Sequence, residues 1–215
     1  MNNNPILAIE TSGNLCGVVV YFDQSKYFEN VVNLKNSHSR ILFDLIDNTI
    51  KSAGIELKEI ECIAISSGPG SFTGLRIGYS AVKGLAYGSF IPICPVPTFE
   101  ALALQLSKVL PEGTGFIIAN KVNVEEVYYA RFYIKSNNYI FAEKLQIINI
   151  SELPERSKDY LVYGNAVNIN SEYSSPRPLY VAEWCNIFGR EYRTQEYDFL
   201  EPNYLKNFII KESLK

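Results

Sequence analysis

A short apolar segment that leads directly into a glycine-rich segment is the feature that most constrains the fold. Residues 62–66 (CIAIS) are apolar almost throughout, which is typical of a strand buried on both faces of a sheet. The next residues, 67–74 (SGPGSFTG), form a glycine-rich turn, and a helical pattern runs from about residue 75 to 88. Strand, turn and helix in direct succession predict an α/β fold.

The segments on either side extend this unit. Three short strands are predicted at residues 6–9, 16–22 and 27–33, because β-branched and aromatic residues there are bounded by turn-forming residues. A helix of about four turns follows Asn36 and Ser37, which can cap its N-terminus, and its apolar stripe stops at Gly54. Another strand is predicted near residues 90–94.

Three prolines within six residues, at positions 92, 95 and 97, indicate a boundary. We therefore divide the chain into an N-terminal lobe, residues 1–97, and a smaller C-terminal lobe, residues 98–215. Thr98 is a suitable N-cap for the first helix of the second lobe. The elements expected there are a helix at 98–110, strands at 116–120, 127–134, 139–148 and 160–163, a helix at 181–192 and an irregular packing segment at 201–206.

Composition excludes several classes of protein. The 215 residues are 47% hydrophobic with a net charge of −3, which favours a globular protein and argues against autonomous nucleic-acid binding. Because no run of apolar residues is long enough to span a membrane and the first ten residues do not resemble a signal peptide, we expect a cytoplasmic protein without a membrane partner. The cysteines have no paired spacing, which favours buried reduced thiols.

His38 is the only histidine in the chain. A metal site that requires two imidazoles therefore cannot be built from this chain alone. No metal ligand is assigned.

The glycine-rich segment is open to two interpretations. Its backbone N–H groups and the following helix N-terminus can bind an anion, but the glycines at 68, 70 and 74 match neither common nucleotide-binding pattern. A sharp structural turn is the favoured alternative. Glycine inside a helix costs about 1 kcal/mol relative to alanine. The four glycines at 74, 78, 84 and 88 therefore indicate close approach of another helix, within the fold or across a subunit boundary.

Residues 67–78 (SGPGSFTGLRIG) resemble the signature of the TsaB (YeaZ) family, a partner of TsaD in making N6-threonylcarbamoyladenosine on tRNA. Four other segments agree with the family in order: residues 6–12 (ILAIETS), His38-Ser39, Glu126-Val127-Tyr128 and Pro202-x-Tyr204. The resemblance implies an actin-like (ASKHA: sugar kinase, Hsp70, actin) fold. Such a fold has two related lobes with mixed central sheets flanked by helices.

The resemblance also implies a role. In the family, TsaD performs the chemistry on adenosine 37, and the TsaB subunit binds and activates TsaD without being an enzyme. The small ATPase TsaE joins the pair, and the chain alone is expected to form a homodimer. Contact with tRNA is expected only through the complex. No cofactor is required, and the resemblance leaves room for weak ATP or ADP binding at the complex interface.

Three groups of site residues follow from the resemblance, with no catalytic residue among them. The partner and dimer interface is expected at His38, Ser39, Phe43, Phe72, Thr73, Leu75, Arg76 and Tyr79. The signature loop comprises Gly68, Pro69, Gly70, Ser71, Gly74 and Gly78. A vestigial nucleotide site is expected at Glu10, Thr11 and Ser12, where many relatives carry Asp-Thr-Ser.

Within the interface, three side chains are expected to act as apolar anchors: Phe72, Leu75 and Tyr79. Arg76 either pairs with a carboxylate of the partner or holds the loop internally. The exposed Phe43 either marks a contact or is ordinary surface.

Three other functions compete with this interpretation. An independent ASKHA-type ATPase or kinase would use Glu10 in its nucleotide site. A protease would need His38 to be paired with a nucleophile that the sequence does not identify. A scaffold without a role in tRNA modification is the third alternative.

Overall fold

The structure is a computed structural model that describes residues 4–34, 36–167 and 171–205. Its strands and helices follow the predicted order, with one additional short helix at Leu153–Arg156 that was not predicted. The strands are β1 (Ile6–Glu10), β2 (Leu15–Tyr21), β3 (Tyr27–Asn33), β4 (Cys62–Gly68), β5 (Ile93–Pro97), β6 (Gly115–Lys121), β7 (Glu126–Lys135), β8 (Asn138–Asn149) and β9 (Leu161–Tyr163). The α-helices are α1 (His38–Ala53), α2 (Phe72–Ser89), α3 (Thr98–Ser107), α4 (Leu153–Arg156) and α5 (Pro178–Phe188).

The first sheet has the strand order β3-β2-β1-β4-β5. Two antiparallel hairpins join β1, β2 and β3, whereas β4 runs parallel to β1 and β5 runs parallel to β4. Strand β5 begins and ends about three residues later than the strand predicted near residues 90–94, so Pro95 and Pro97 lie within it. An edge strand tolerates proline, because the missing N–H need not face another strand.

The second sheet has the order β8-β7-β6-β9, with β9 parallel to β6 and the other pairs antiparallel. Its core contains aromatic side chains of β6 and β7, such as Phe116 and Phe132, packed against Phe99 and Leu102 of α3. Two mixed sheets flanked by helices confirm the predicted fold class.

The two faces of the first sheet are covered by different parts of the chain. Side chains of α1 and α2, including Leu42 and Val82, pack on one face. On the other face, Leu104 of α3 and Val181 and Trp184 of α5 pack against Ile6 and its neighbours. The division after residue 97 therefore separates the two sheets, but α5 lies on the sheet of the first lobe.

Two predicted helix caps are wrong. Ser37 stands at the N-cap of α1, but its side chain makes no capping hydrogen bond and its hydroxyl donates to the carbonyl oxygen of Leu34 at 2.7 Å. Thr98 is the first helical residue of α3, behind Pro97. Its hydroxyl instead accepts a hydrogen bond from the backbone N–H of Gly68 at 3.0 Å. Gly54 ends α1 in the left-handed conformation, as predicted.

The irregular segment near the end of the chain packs on the signature loop. The Asn203 N–H donates to the Ser67 carbonyl oxygen at 2.7 Å, and the Tyr204 ring lies 5.1 Å from the Phe72 ring. The part of the prediction that concerns Lys206 lies outside the described residues.

The four cysteines are buried and unpaired, as predicted. Within the described ranges, no helix combines the length and apolarity needed to cross a membrane.

Candidate functional site

The signature loop joins β4 to α2 and is held by hydrogen bonds to neighbouring segments of the chain. The Gly68–Pro69 peptide is cis, and Gly68 has a φ of +105°, a conformation that favours glycine. The Ser71 N–H donates to the carbonyl oxygen of Ser12 at 2.6 Å, and the Ser71 hydroxyl caps α2 by accepting from the Gly74 N–H at 3.2 Å. The loop is therefore a rigid turn fixed to the end of β1.

Three glycines of this region lie against the residues that follow β1. A Cβ atom at Gly70, Gly74 or Gly78 would come closer than 3.0 Å to atoms of Ser12 or Thr11. The close approach predicted at Gly74 and Gly78 is therefore confirmed, and it also occurs at Gly70, but the neighbour is the chain after β1 and not a second helix. By contrast, a Cβ atom at Gly84 or Gly88 would meet no atom within 4 Å.

Glu10 is fully buried, and its carboxylate is used inside the protein. One oxygen accepts hydrogen bonds from the Ser12 N–H and the Ser12 hydroxyl, both at 2.5 Å, and the other accepts from the Ser66 hydroxyl. Burial raises the pKa of Glu10 to about 7, although the hydrogen bonds from Ser12 and Ser66 partly oppose this shift. Three hydrogen bonds from the protein therefore occupy most of the acceptor capacity of this carboxylate.

A cleft of about 520 Å³ opens where the end of β1, the start of α2 and the end of β6 meet. His38 lines this cleft and is largely buried, with its Nε2 atom 3.2 Å from the Leu15 carbonyl oxygen. Most of the other lining side chains are small and polar, with Lys121 at one side. The lining residues are Ser12, Gly13, Asn14, Asn36, His38, Ser39, Gly70, Ser71, Phe72, Thr73, Gly74, Ile77, Asn120, Lys121, Val122, Tyr128, Asn165 and Ser174.

This lining does not fit a nucleotide held through Mg²⁺. Such a cation prefers carboxylate oxygens, and no carboxylate lines the cleft among the residues that the structure describes. Glu10 belongs to the predicted vestigial nucleotide site, and its carboxylate oxygens accept hydrogen bonds from Ser12 and Ser66. We therefore derive no reaction step through a bound nucleotide.

A shallow groove, which adjoins this cleft and shares part of its lining, lies between the outer faces of α1 and α2. It brings together five of the predicted interface residues, Ser39, Phe43, Phe72, Thr73 and Arg76, and adds Ile77, Ser80 and Ala81. The Phe43 side chain is 59% exposed. The Arg76 guanidinium lies 3.9 Å from the centre of the Phe72 ring, and its Nε donates to the Tyr204 hydroxyl at 3.3 Å. Arg76 therefore has partners within its own chain, which agrees with the predicted role of holding the loop internally.

Two of the three predicted anchors are wrong. Leu75 is 1% exposed and lies against Gly68 at the end of β4, and Tyr79 is 4% exposed and belongs to the core between α2 and the first sheet. Residues four apart lie on one helix face, and the exposed Arg76 indicates the face to which Ser80 also belongs. That spacing is the sequence signal that would have found Ser80. No sequence pattern indicates that the hydroxyl of Thr98, the first residue of α3, binds the signature loop at Gly68.

Comparisons with known proteins identify the family of this chain. The sequence profile of the family "TsaD: tRNA N6-adenosine threonylcarbamoyltransferase" matches residues 32–118. Two curated relatives are named tRNA threonylcarbamoyladenosine biosynthesis protein TsaB. The protein from Bacillus subtilis is 33% identical over 94% of this chain and 93% of its own length, and that from Haemophilus influenzae is 26% identical over 100% and 98%.

Among solved structures, YeaZ from Pseudomonas aeruginosa superposes with a TM-score of 0.72 over 94% of this chain and 99% of its own, at 19% identity. This likeness supports the fold alone. The identity and coverage of the Bacillus subtilis relative show the family. The chain belongs to the TsaB (YeaZ) family.

Proposed function

We propose that this chain is a non-catalytic subunit in the formation of N6-threonylcarbamoyladenosine at adenosine 37 of tRNA, and that it binds and activates TsaD. The family membership supports the pathway, because full-length relatives are named as biosynthesis proteins of this nucleoside. The observation that carries the binding role is the groove between α1 and α2. It combines the exposed Phe43 of α1 with Phe72 and several small side chains of α2.

The groove has the properties of a helix-docking surface. Phe43 projects from α1, and small side chains at Thr73, Ser80 and Ala81 let another helix approach α2 closely. An exposed aromatic residue beside small residues is typical of an interface anchor. We therefore assign the docking of TsaD to this groove, with Phe43 and Phe72 as its apolar contacts.

The same groove also serves as the contact between two copies of this chain when TsaD is absent. A self-complementary surface with a two-fold axis would bury Phe43 of both copies. TsaE then joins the TsaD pair, and tRNA is bound through the complex. Any ATP or ADP binds weakly at the interface of the complex, since the Glu10 carboxylate already accepts hydrogen bonds from Ser12 and Ser66.

The first experiment tests the pathway. Cognate TsaD, TsaE and the threonylcarbamoyl-adenylate synthase are incubated with tRNA, with and without this chain, and adenosine 37 is analysed by mass spectrometry. We expect product only when the chain is present. Equal product without it would overturn the proposed function.

The second experiment tests the groove. Ser80→Arg places a long charged side chain in the groove from an exposed position, so the fold should be unaffected. We expect it to weaken both TsaD binding and the homodimer. Val124→Asp is the matched control, because Val124 is an exposed apolar residue, 92% accessible, outside the groove. Unchanged TsaD binding by the Ser80 variant would refute the assignment of the groove.

A further inference from the structure

A second groove, of about 380 Å³, opens where the start of α3, the start of β8 and the end of α5 meet. It lies on the α3–α5 side of the first sheet, opposite α1 and α2. Aromatic rings surround it, with neighbouring ring centres 5.6–6.3 Å apart. The rings belong to Tyr139, Phe141, Trp184, Phe188 and Tyr192. We call it the aromatic groove.

Two carboxylates, Glu100 and Glu191, also line the aromatic groove. Glu100 is held in place, because its Oε2 accepts a hydrogen bond from the Tyr139 hydroxyl at 2.7 Å, and that hydroxyl accepts one from the Trp184 indole N–H at 2.9 Å. Within residues 4–34, 36–167 and 171–205, no lysine or arginine forms an ion pair with Glu100 or Glu191. The groove therefore carries negative charge that no residue of the described chain neutralises.

The rim of the groove is apolar and accessible. Ile140 is 45% exposed, Phe141 39% and Tyr192 57%. Exposed aromatic faces next to carboxylates that form no ion pair within the described chain attract a cation, because the ring face and the carboxylate both favour positive charge. The negative charge also disfavours nucleic acid as the ligand.

We propose that the aromatic groove binds an arginine side chain carried by a partner protein. A planar guanidinium can stack on an aromatic ring while it donates hydrogen bonds to a carboxylate, which a lysine ammonium cannot do in the same way. Glu100 and Glu191 supply the complementary charge, and the apolar rim contacts the residues beside the arginine. Because this groove and the α1–α2 groove lie on opposite faces of the first sheet, the two partners can bind at the same time.

Trp184 provides a direct readout, since it is the only tryptophan in the chain and lines the aromatic groove. The full chain is titrated with an acetylated and amidated leucine–arginine–leucine tripeptide while Trp184 fluorescence is recorded. We expect a saturable change. The same peptide with citrulline in place of arginine keeps the shape but loses the charge, and we expect it to produce no saturable change.

Substitutions of the two carboxylates locate the binding site. Glu191→Gln and Glu100→Gln should each weaken binding of the arginine peptide by up to about fivefold, and the double variant should weaken it more than either. Glu155→Gln, at an exposed position on α4 outside the groove, is the matched control and should bind like the wild type.

The proposal is overturned if the wild type shows no saturable response, or if the double variant binds the arginine peptide as tightly as the wild type. Glu191 is exposed, so its substitution tests the groove without disturbing the fold. Each of these variants should bind TsaD as tightly as the wild type does. A failure of the arginine-binding proposal would therefore be distinct from a failure of the proposed function.

Discussion

The protonation state of Glu10 links a single side chain to the stability of the whole protein. Burial raises the pKa of this carboxyl to about 7 in the folded protein, from an ordinary value of 4.5 in the unfolded chain. Between these two pH values the folded protein binds a proton that the unfolded chain has released. The contribution of Glu10 to the free energy of unfolding is therefore fully present below pH 4.5 and is lost as the pH rises through 7.

Glu10→Gln should remove this pH dependence. The glutamine amide can accept from the Ser12 N–H and donate to the Ser66 hydroxyl, so it resembles the protonated carboxyl. Between pH 4.5 and 8 we expect the wild type to lose about 3 kcal/mol of unfolding free energy that the variant keeps. Urea denaturation at several pH values measures the difference. Parallel pH profiles for the two proteins would contradict the raised pKa of the buried Glu10 carboxyl.

Side-chain roles in the candidate site were only partly predictable. The sequence identified Ser39, Phe43 and Arg76 as surface residues of one region, and the groove contains all three. It could not show that Tyr79 points towards the first sheet, because a helix rich in apolar and small residues has no clear polar face. The hydroxyl of Thr98 meets Gly68 across 30 positions of sequence, and no local pattern reports such a contact.

Helix α2 contains glycines with two different functions. Gly74 and Gly78 allow the helix to lie against the residues after β1, whereas Gly84 and Gly88 face open space. The sequence predicted the close approach of another helix at all four glycines. The spacing of small residues cannot distinguish a glycine under another backbone from one on a free surface, since that depends on how the helix is placed on the sheet.

A pair of alanine substitutions separates these functions. In Gly74→Ala the new Cβ would collide with the Thr11 carbonyl oxygen, so we expect a loss of roughly 1–3 kcal/mol in unfolding free energy. In Gly84→Ala the new Cβ meets nothing, and the better helix propensity should add about 0.5–1 kcal/mol. Urea denaturation of both variants measures the effects. Equal effects at the two positions would show that the approach to β1 is not tight.

The two sheets share helices across the predicted lobe boundary. Local patterns predicted most strands and helices to within a few residues, because hydrophobic periodicity is a local property. They did not predict that α5 returns to the first sheet, where Trp184 packs with Ala8 and its neighbours. That contact joins segments more than 170 positions apart in the chain, and only the assembled fold creates it.

A fragment of residues 1–97 should therefore not fold alone. The face of its sheet that carries Ile6 and Ala8 would lack the covering side chains of α3 and α5. We expect no cooperative thermal unfolding of this fragment by circular dichroism, and recovery of cooperativity when a fragment of residues 98–205 is added. Cooperative unfolding of the first fragment by itself would support the lobe division made from the prolines.

The position of α5 also matters while the chain is being made. The last strand of the first sheet ends at Pro97, and α5 begins at Pro178. Translation adds about 5–20 residues per second, so the roughly 80 intervening residues take roughly 4–16 s to synthesise. Throughout that interval the face of the nascent sheet that carries Ile6 and Ala8 lacks the side chains of α5, and α3 covers only part of it. The separation between β5 and α5 thus sets the time during which each new molecule is vulnerable to aggregation on the ribosome.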